Sequence, residues 1–383
     1  MSIYLDFNSS APIDSRVLEV MVNVYKDVIG NADSRTHDFG DGARKIVERA
    51  RNQVASILGI NKDEVFFTSG ATESNNIVLQ GLKAYAYKSG RKHIIISSIE
   101  HKAVLETAKA LKVEGFEVDF VSPDLSGRVS VNSVNELVRE DTLLVSIMHV
   151  NNETGIIQPV QEIGDLLAER DVFFHVDATQ SFGKLVDEIK TIKYDMLSMS
   201  AHKIGGPQGI GALVMKKKGY RLPPVKGIMY GGQQENGIRP GTVPVALVAG
   251  LGAACGYAEA EYEENKKKCI AVKKCLMQIL NESDVSYEIN GDQSYCVPST
   301  LNLCLHGVSS EALMLATKHY CGISNGSACN SNSYNPSFVL AAMGVPVGKI
   351  ESSIRISWGA ESDLGEVEDA FNNMLKMAKG LAF

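Results

Sequence analysis

The sequence lacks any Cys-x-x-Cys pair and any Cys/His cluster at zinc-site spacing, although it holds seven cysteines, at 255, 269, 275, 296, 304, 321 and 329. A zinc finger or ribbon is thereby excluded by pattern. The odd, scattered count points to a reducing compartment, the cytoplasm, with at least one thiol left for chemistry. Positive charge is not in excess either. Against 45 Asp and Glu stand 38 Lys and Arg, a net charge of −7, so no nucleic-acid polyanion is expected as the main ligand. The opening Met-Ser-Ile-Tyr-Leu-Asp lacks the basic and apolar regions of a signal peptide. Residues 240–258 carry no charge but include Pro240, Pro244 and several glycines and alanines. That stretch reads as a turn and a tightly packed helix, not a bilayer span, and no membrane association is expected. Internal repeats and low-complexity tracts are absent.

What is present is 383 residues, 44% apolar and 22% charged, enough for a large core in two domains or one large α/β unit. Strand-like apolar runs fall at 65–67, 94–96, 118–121, 143–147, 172–176 and 196–197, with helical periodicity between most of them. Such alternation predicts a mostly parallel sheet covered on both faces, with chemistry at the carboxyl ends of its strands. Residues 31–41 read as an irregular loop, and a charged helix is expected from Tyr257 to about Leu280. Beyond it the elements shorten. This predicts a large domain over 15–261 and a smaller α+β domain made of 262–383 and residues 1–14.

Candidate chemistry gathers at strand ends. In Ser198–Gly211, Lys203 sits among small and polar residues with glycines at 205, 206, 209 and 211. It is either solvated surface or an amine ready to form a Schiff base. Ser69-Gly70-Ala71-Thr72 lies where a strand meets a helix, a place suited to an anion or to an ordinary turn. His101 follows the 94–96 run, and can stack on a planar ring or cap the next helix. Asp177 closes an apolar strand, where a buried carboxylate needs a partner; none is evident nearby, which favours a ligand cation. An acid, a lysine and an anion site are what pyridoxal phosphate requires.

Six motifs in order carry a resemblance: Ser69-Gly-Ala-Thr-Glu-Ser-Asn-Asn76, Glu100-His-Lys-Ala-Val-Leu105, His149-Val-Asn-Asn-Glu153, His175-Val-Asp-Ala-Thr-Gln-Ser181, Ser200-Ala-His-Lys203 and Arg239-Pro-Gly-Thr242. Together they resemble those of NifS/IscS-like cysteine desulfurases in the class V aminotransferase family, over nearly the whole chain. The resemblance implies a fold type I pyridoxal-phosphate transferase, α/β, with a seven-stranded, mostly parallel sheet domain. It implies Lys203 as the cofactor lysine, Asp177 on the pyridine nitrogen and His101 over the ring. Gln180 and Asn152 would serve the phenolic oxygen, and Ala71, Thr72, Ser200 and His202 the phosphate. Thr242 would reach in from the second subunit of a homodimer. Arg355, with Asn152, would bind the substrate carboxylate.

Cys329 sets the subtype. Its setting, Ser324-Asn-Gly-Ser-Ala-Cys-Asn-Ser331, is small and polar, suited to an exposed thiolate, and is similar to the Ser-Gly-Ser-Ala-Cys loop of group I desulfurases. The resemblance then implies conversion of L-cysteine to L-alanine, with the sulfur held as a persulfide on Cys329. Sulfur-acceptor or scaffold proteins would receive it, for iron–sulfur cluster assembly, thiolation, or a specialised use such as DNA phosphorothioation. No resident metal is expected, although Cys329 could ligate a cluster in transit. Asn8-Ser9-Ser10-Ala11-Pro12, Pro240, Gln233-Gln234, Asn236, Asn325 and Asn330 depart from the family pattern. A selenocysteine lyase or aminotransferase on the same fold, or a non-catalytic sulfur-transfer scaffold, are the competing readings.

Overall fold

A computed structural model describes residues 2–326 and 336–382; Cys329 lies outside the described residues. Its strands, in chain order, are β1 (Ile3–Tyr4), β2 (Val65–Thr68), β3 (His93–Ser97), β4 (Glu117–Val121), β5 (Thr142–Met148) and β6 (Phe173–Asp177). They continue with β7 (Met196–Ser200), β8 (Gly211–Met215), β9 (Tyr287–Ile289), β10 (Thr300–Leu305), β11 (Cys321–Gly322) and β12 (Ser353–Ser357).

The large sheet has the order β2-β8-β7-β6-β5-β3-β4. Only β8 runs antiparallel to its neighbours. Strands β3, β5 and β7 are buried along their whole length, because helices cover both faces. This is why they read as unbroken apolar runs without alternation. One face packs on the helices Asp38–Leu58, Val160–Ala168 and Val186–Thr191 through residues such as Ala50, Val54, Ile163 and Ile189. The other packs on Ala71–Gly81 and Lys102–Val113 through Ile77, Val78, Val104 and Leu111.

A second sheet, β12-β10-β9, is antiparallel. It buries Leu301, Leu303, Ile354 and Ile356 against Leu276, Leu280, Phe371 and Leu375. The N-terminus is sewn into this part: β1 pairs in parallel with β11, and the Ser357 amide donates to the Leu5 carbonyl.

Three elements differ from the sequence expectation. Residues 245–282 form one 38-residue helix, Val245–Glu282, where the sequence suggests a turn, a buried helix and a charged helix. The small residues of its first half allow close approach: a Cβ at Gly252 would stand 2.6 Å from the Ala50 Cα. Helix Asp38–Leu58 begins inside the expected loop, because His37 Nδ1 accepts from the Gly40 amide and Asp38 and Asp41 face the positive helix end. Strand β8 follows a glycine cluster and shows no period-2 pattern, which hid it. Among the described residues no helix is long and apolar enough to cross a membrane.

Candidate active site

Parallel strands leave their carboxyl ends on one edge, and there the turns after β2, β3, β5, β6 and β7 meet. The first of them is built for close backbone approach. Gly70 has φ 149°, and a Cβ on Gly211 would fall 2.7 Å from the Gly70 Cα and 2.4 Å from the Met199 carbonyl oxygen. Only glycine at 211 lets β8 lie against both the turn and β7. Helix Ala71–Gly81 therefore opens beside Ser200, whose Oγ would be 3.4 Å from a Gly70 Cβ. The first amides of this helix, including those of Ala71 and Thr72, have no carbonyl one turn back, and they carry the positive end of the helix dipole. Glu73 accepts from the Ser69 amide at 2.5 Å and pairs with Arg239 at 3.1 Å, which fixes the turn.

At the end of β6, Asp177 is only 3% exposed. Its carboxylate accepts from Asn75 Nδ2 at 2.8 Å, from the Thr179 amide at 3.0 Å and from Thr179 Oγ1 at 2.5 Å. Neutral donors hold it, and among the described residues no ion pair includes it. Asn75, within the first motif, is the partner that sequence reasoning missed. Beneath it His175 bridges Ser146 and Ser198 at 2.8 and 2.9 Å, and burial lowers its pKa to about 4.

His101 caps helix Lys102–Val113, with Nδ1 accepting from the Ala103 amide at 3.1 Å. The neutral ring therefore carries its proton on Nε2. Burial holds its pKa below the ordinary value; Asp177 opposes this, and Lys203 and Lys102 add to it. The stacking and capping readings are thus compatible, one using the ring face and the other Nδ1.

Lys203 ends a short helical turn after β7, and its Nζ donates to the carbonyls of Asn8 and Ser9, both at 2.6 Å. His202 Nδ1 lies 3.2 Å from Ser10 Oγ, and burial, helped by Lys203, lowers its pKa to about 4. Gln180 Nε2 donates to the Asn8 carbonyl at 2.8 Å. The segment Asn8–Ser10 thus lines the site, a role its sequence does not advertise.

Arg355 reaches the site from β12. Its Nη2 donates to Asp6 at 2.5 Å and its Nη1 to the Asn152 carbonyl at 2.9 Å. Its backbone pairs with Ser324, at the start of the chain leading to Cys329. Asn152 and His101 line a cavity of about 420 Å³ with Lys102, Glu153, Gly326 and Ser337. Thr242 is exposed, while its neighbours Gly241 and Val243 line a small cleft with Thr68 and Ser69.

Buried polar atoms with no protein partner among the described residues include Gln180 Oε1, Asn75 Oδ1 and Arg355 Nε. Orphaned groups of this kind cost stability unless a ligand meets them. An amine, a buried acid, an imidazole and a glycine-shaped anion cradle on one sheet edge fit pyridoxal phosphate. No group of His, Cys, Asp and Glu among the described residues could hold a metal ion.

These features fit a site of the pyridoxal-phosphate transferase type. The chain belongs to the class-V aminotransferase family, whose pattern matches residues 3–369. It is 42% identical to the cysteine desulfurase IscS of Photorhabdus laumondii over 372 residues, 97% of this chain and 91% of that one. A solved NifS-like protein superposes with a TM-score of 0.91 at 34% identity, covering all of both chains. SspA, solved in complex with cysteine, gives 0.81 at 35% identity, over 94% of this chain and all of that one.

Proposed function

We propose that the protein is a pyridoxal-phosphate-dependent cysteine desulfurase, converting L-cysteine to L-alanine and retaining the sulfur as a persulfide on Cys329. The observation that carries this reading is the meeting of Lys203, Asp177 and His101 on one sheet edge, with Arg355 arriving from the second sheet. Bound pyridoxal phosphate supplies an electron sink for bond breaking at the substrate Cα. Lys203 would anchor it and, as an uncharged amine, take the Cα proton at Nζ. Asp177, oriented by Asn75 and Thr179, would face the ring nitrogen; Gln180 and Asn152 would serve the phenolic oxygen. The Ala71 and Thr72 amides, with Ser200 and His202, would hold the phosphate, and Thr242 would join them from the second copy of a homodimer. His101, neutral and protonated on Nε2, can stack on the ring and donate a hydrogen bond from Nε2. Arg355, with Nε still unpartnered, would read the substrate carboxylate alongside Asn152.

The Cys329 thiolate then attacks the substrate sulfur. An S–S bond forms as the Cβ–S bond breaks, and the carbon product takes up a proton. L-cysteine and a thiol give L-alanine and a persulfide, balanced without an external oxidant. In this reading residues 15–261 bind the cofactor, while 1–14 with 262–383 carry Cys329 and Arg355. The persulfide passes to acceptor proteins in the cytoplasm, for iron–sulfur assembly or thiolation.

The test is alanine formation from L-cysteine by the holoenzyme in the presence of a reductant. Cys329→Ala should abolish alanine while leaving the cysteine-induced change in cofactor absorbance. No alanine from the wild type would sink the proposal, and full turnover by Cys329→Ala would return the aminotransferase or lyase reading.

A further inference from the structure

Glu153 is a buried carboxyl that the reaction just described does not use, and it is 2% exposed. It belongs to a rigid turn. Its amide donates to Asn151 Oδ1 at 2.9 Å, Asn302 Nδ2 donates to its carbonyl at 3.1 Å, and the Asn152 carbonyl next to it holds Arg355. Its side chain meets Gly326 and Ser337, which lie on either side of Cys329 in the sequence. Ser337 Oγ donates to Glu153 Oε2 at 2.5 Å, and a Cβ on Gly326 would stand 2.4 Å from that same oxygen. Gly326, with φ 81°, is thus pressed against the carboxyl by its backbone. Ser337 is itself fixed, since its Oγ accepts from the Leu340 amide at 3.1 Å as cap of helix Phe338–Ala342.

We propose that Glu153 is the positioning residue for sulfur transfer: one oxygen brings Gly326 and Ser337 together and so sets the base from which Cys329 works. This rests on the desulfurase reading above. The turn 151–154 then couples two tasks, because its Asn152 steadies the carboxylate-reading Arg355 while its Glu153 steadies the sulfur-accepting end. Burial raises the Glu153 pKa to about 7, with Ser337, Arg355 and Lys102 pulling the other way. A neutral carboxyl keeps an acceptor oxygen for Ser337, so glutamine can stand in for it and alanine cannot.

The experiment compares holoenzymes of wild type, Glu153→Gln, Glu153→Ala and Ser337→Ala, the last leaving the buried carboxyl in place. Two steps are read separately. The first is the cysteine-induced change in cofactor absorbance, and the second is single-turnover persulfide formation on Cys329, followed by alkylation and mass spectrometry. Glu153→Ala should leave the first within about twofold and slow the second at least tenfold. Ser337→Ala should slow the second about threefold or more, and Glu153→Gln should stay within about threefold of wild type. Equal persulfide rates in wild type, Glu153→Ala and Ser337→Ala would overturn the inference, and so would both steps falling together in Ser337→Ala. A wild type that forms alanine but no persulfide on Cys329 would instead overturn the desulfurase reading, and this inference with it.

Discussion

Glu100 stands beside His101 with one oxygen well used and the other idle. Oε1 accepts from Ser97 Oγ at 2.5 Å and from the Met148 amide at 2.7 Å, while Oε2 is buried without a partner among the described residues. Burial raises its pKa from 4.5 to about 8; the two hydrogen bonds oppose this, and the charge of Asp177 adds a little. Between those two values the folded protein keeps a proton that the unfolded chain has released. Stability from this group is therefore fully present below pH 4.5 and is lost as pH rises towards 8. At about 1.4 kcal/mol per unit, going from pH 5 to pH 7 costs the wild type about 2–3 kcal/mol through this residue alone. Glu100→Gln keeps a carbonyl oxygen for Ser97 and Met148 and cannot ionise. Its unpartnered amide adds an offset of about 1–3 kcal/mol that does not vary with pH. The quantity to measure is thus the slope of the stability difference and not its level. Urea unfolding of both proteins at pH 5, 6, 7 and 8 should show the mutant gaining on the wild type by about 2–3 kcal/mol between pH 5 and 7. Parallel stability curves, or a mutant that loses ground as pH rises, would refute the reasoning.

Lys203→Ala should remove covalent cofactor attachment, seen as loss of the protein-bound chromophore on borohydride treatment, with activity down at least about a thousandfold. His101→Gln should lower the rate by about 10²–10⁴. Because burial holds the His101 pKa below 6.5, more than half of the ring stays neutral at pH 6.5, so its titration should lower the wild-type rate by less than about half from pH 7.5 to 6.5. An acid limb centred above 6.5 that vanishes in His101→Gln would contradict this. Gly211→Ala puts a methyl against two backbones, so thermal unfolding should show a loss of about 1–3 kcal/mol or more. Affinity for pyridoxal phosphate should fall with it, because the Gly70 turn moves; unchanged affinity would show that the cradle lies elsewhere.

The parallel sheet was legible because each buried strand, such as β3 or β5, carries an unbroken apolar run bounded by turn residues. Strand β8 was not, since its glycine-rich approach looks like punctuation and its five residues are all buried. The long helix was misread as pieces because its composition changes midway, from small residues packed on helix Asp38–Leu58 to charged ones, while the backbone continues unbroken. At the site, Lys203, Asp177 and His101 stood out as polar residues at apolar strand ends. Asn75 and Glu153 did not, although both lie inside quoted motifs. Their role depends on which side chain faces them across the fold, and that is set by partners 102 and 184 residues away. Asp6 and Asn8 were harder still, because a short N-terminal strand gives no hint that it will end beside a lysine near position 200.

That N-terminal segment has a consequence for the order of assembly. Asp6 meets Arg355 and the Asn8 amide meets Ser357, each 349 residues downstream, while Asn8 also holds Lys203 and Gln180. Asp6 and Asn8 thus wait for partners made 349 residues after them. Synthesis must run past β12 before the wall of the site can close over Lys203. Tight cofactor retention would then report that synthesis has passed β12: a nascent chain stalled before that strand lacks Arg355 and cannot complete the pocket.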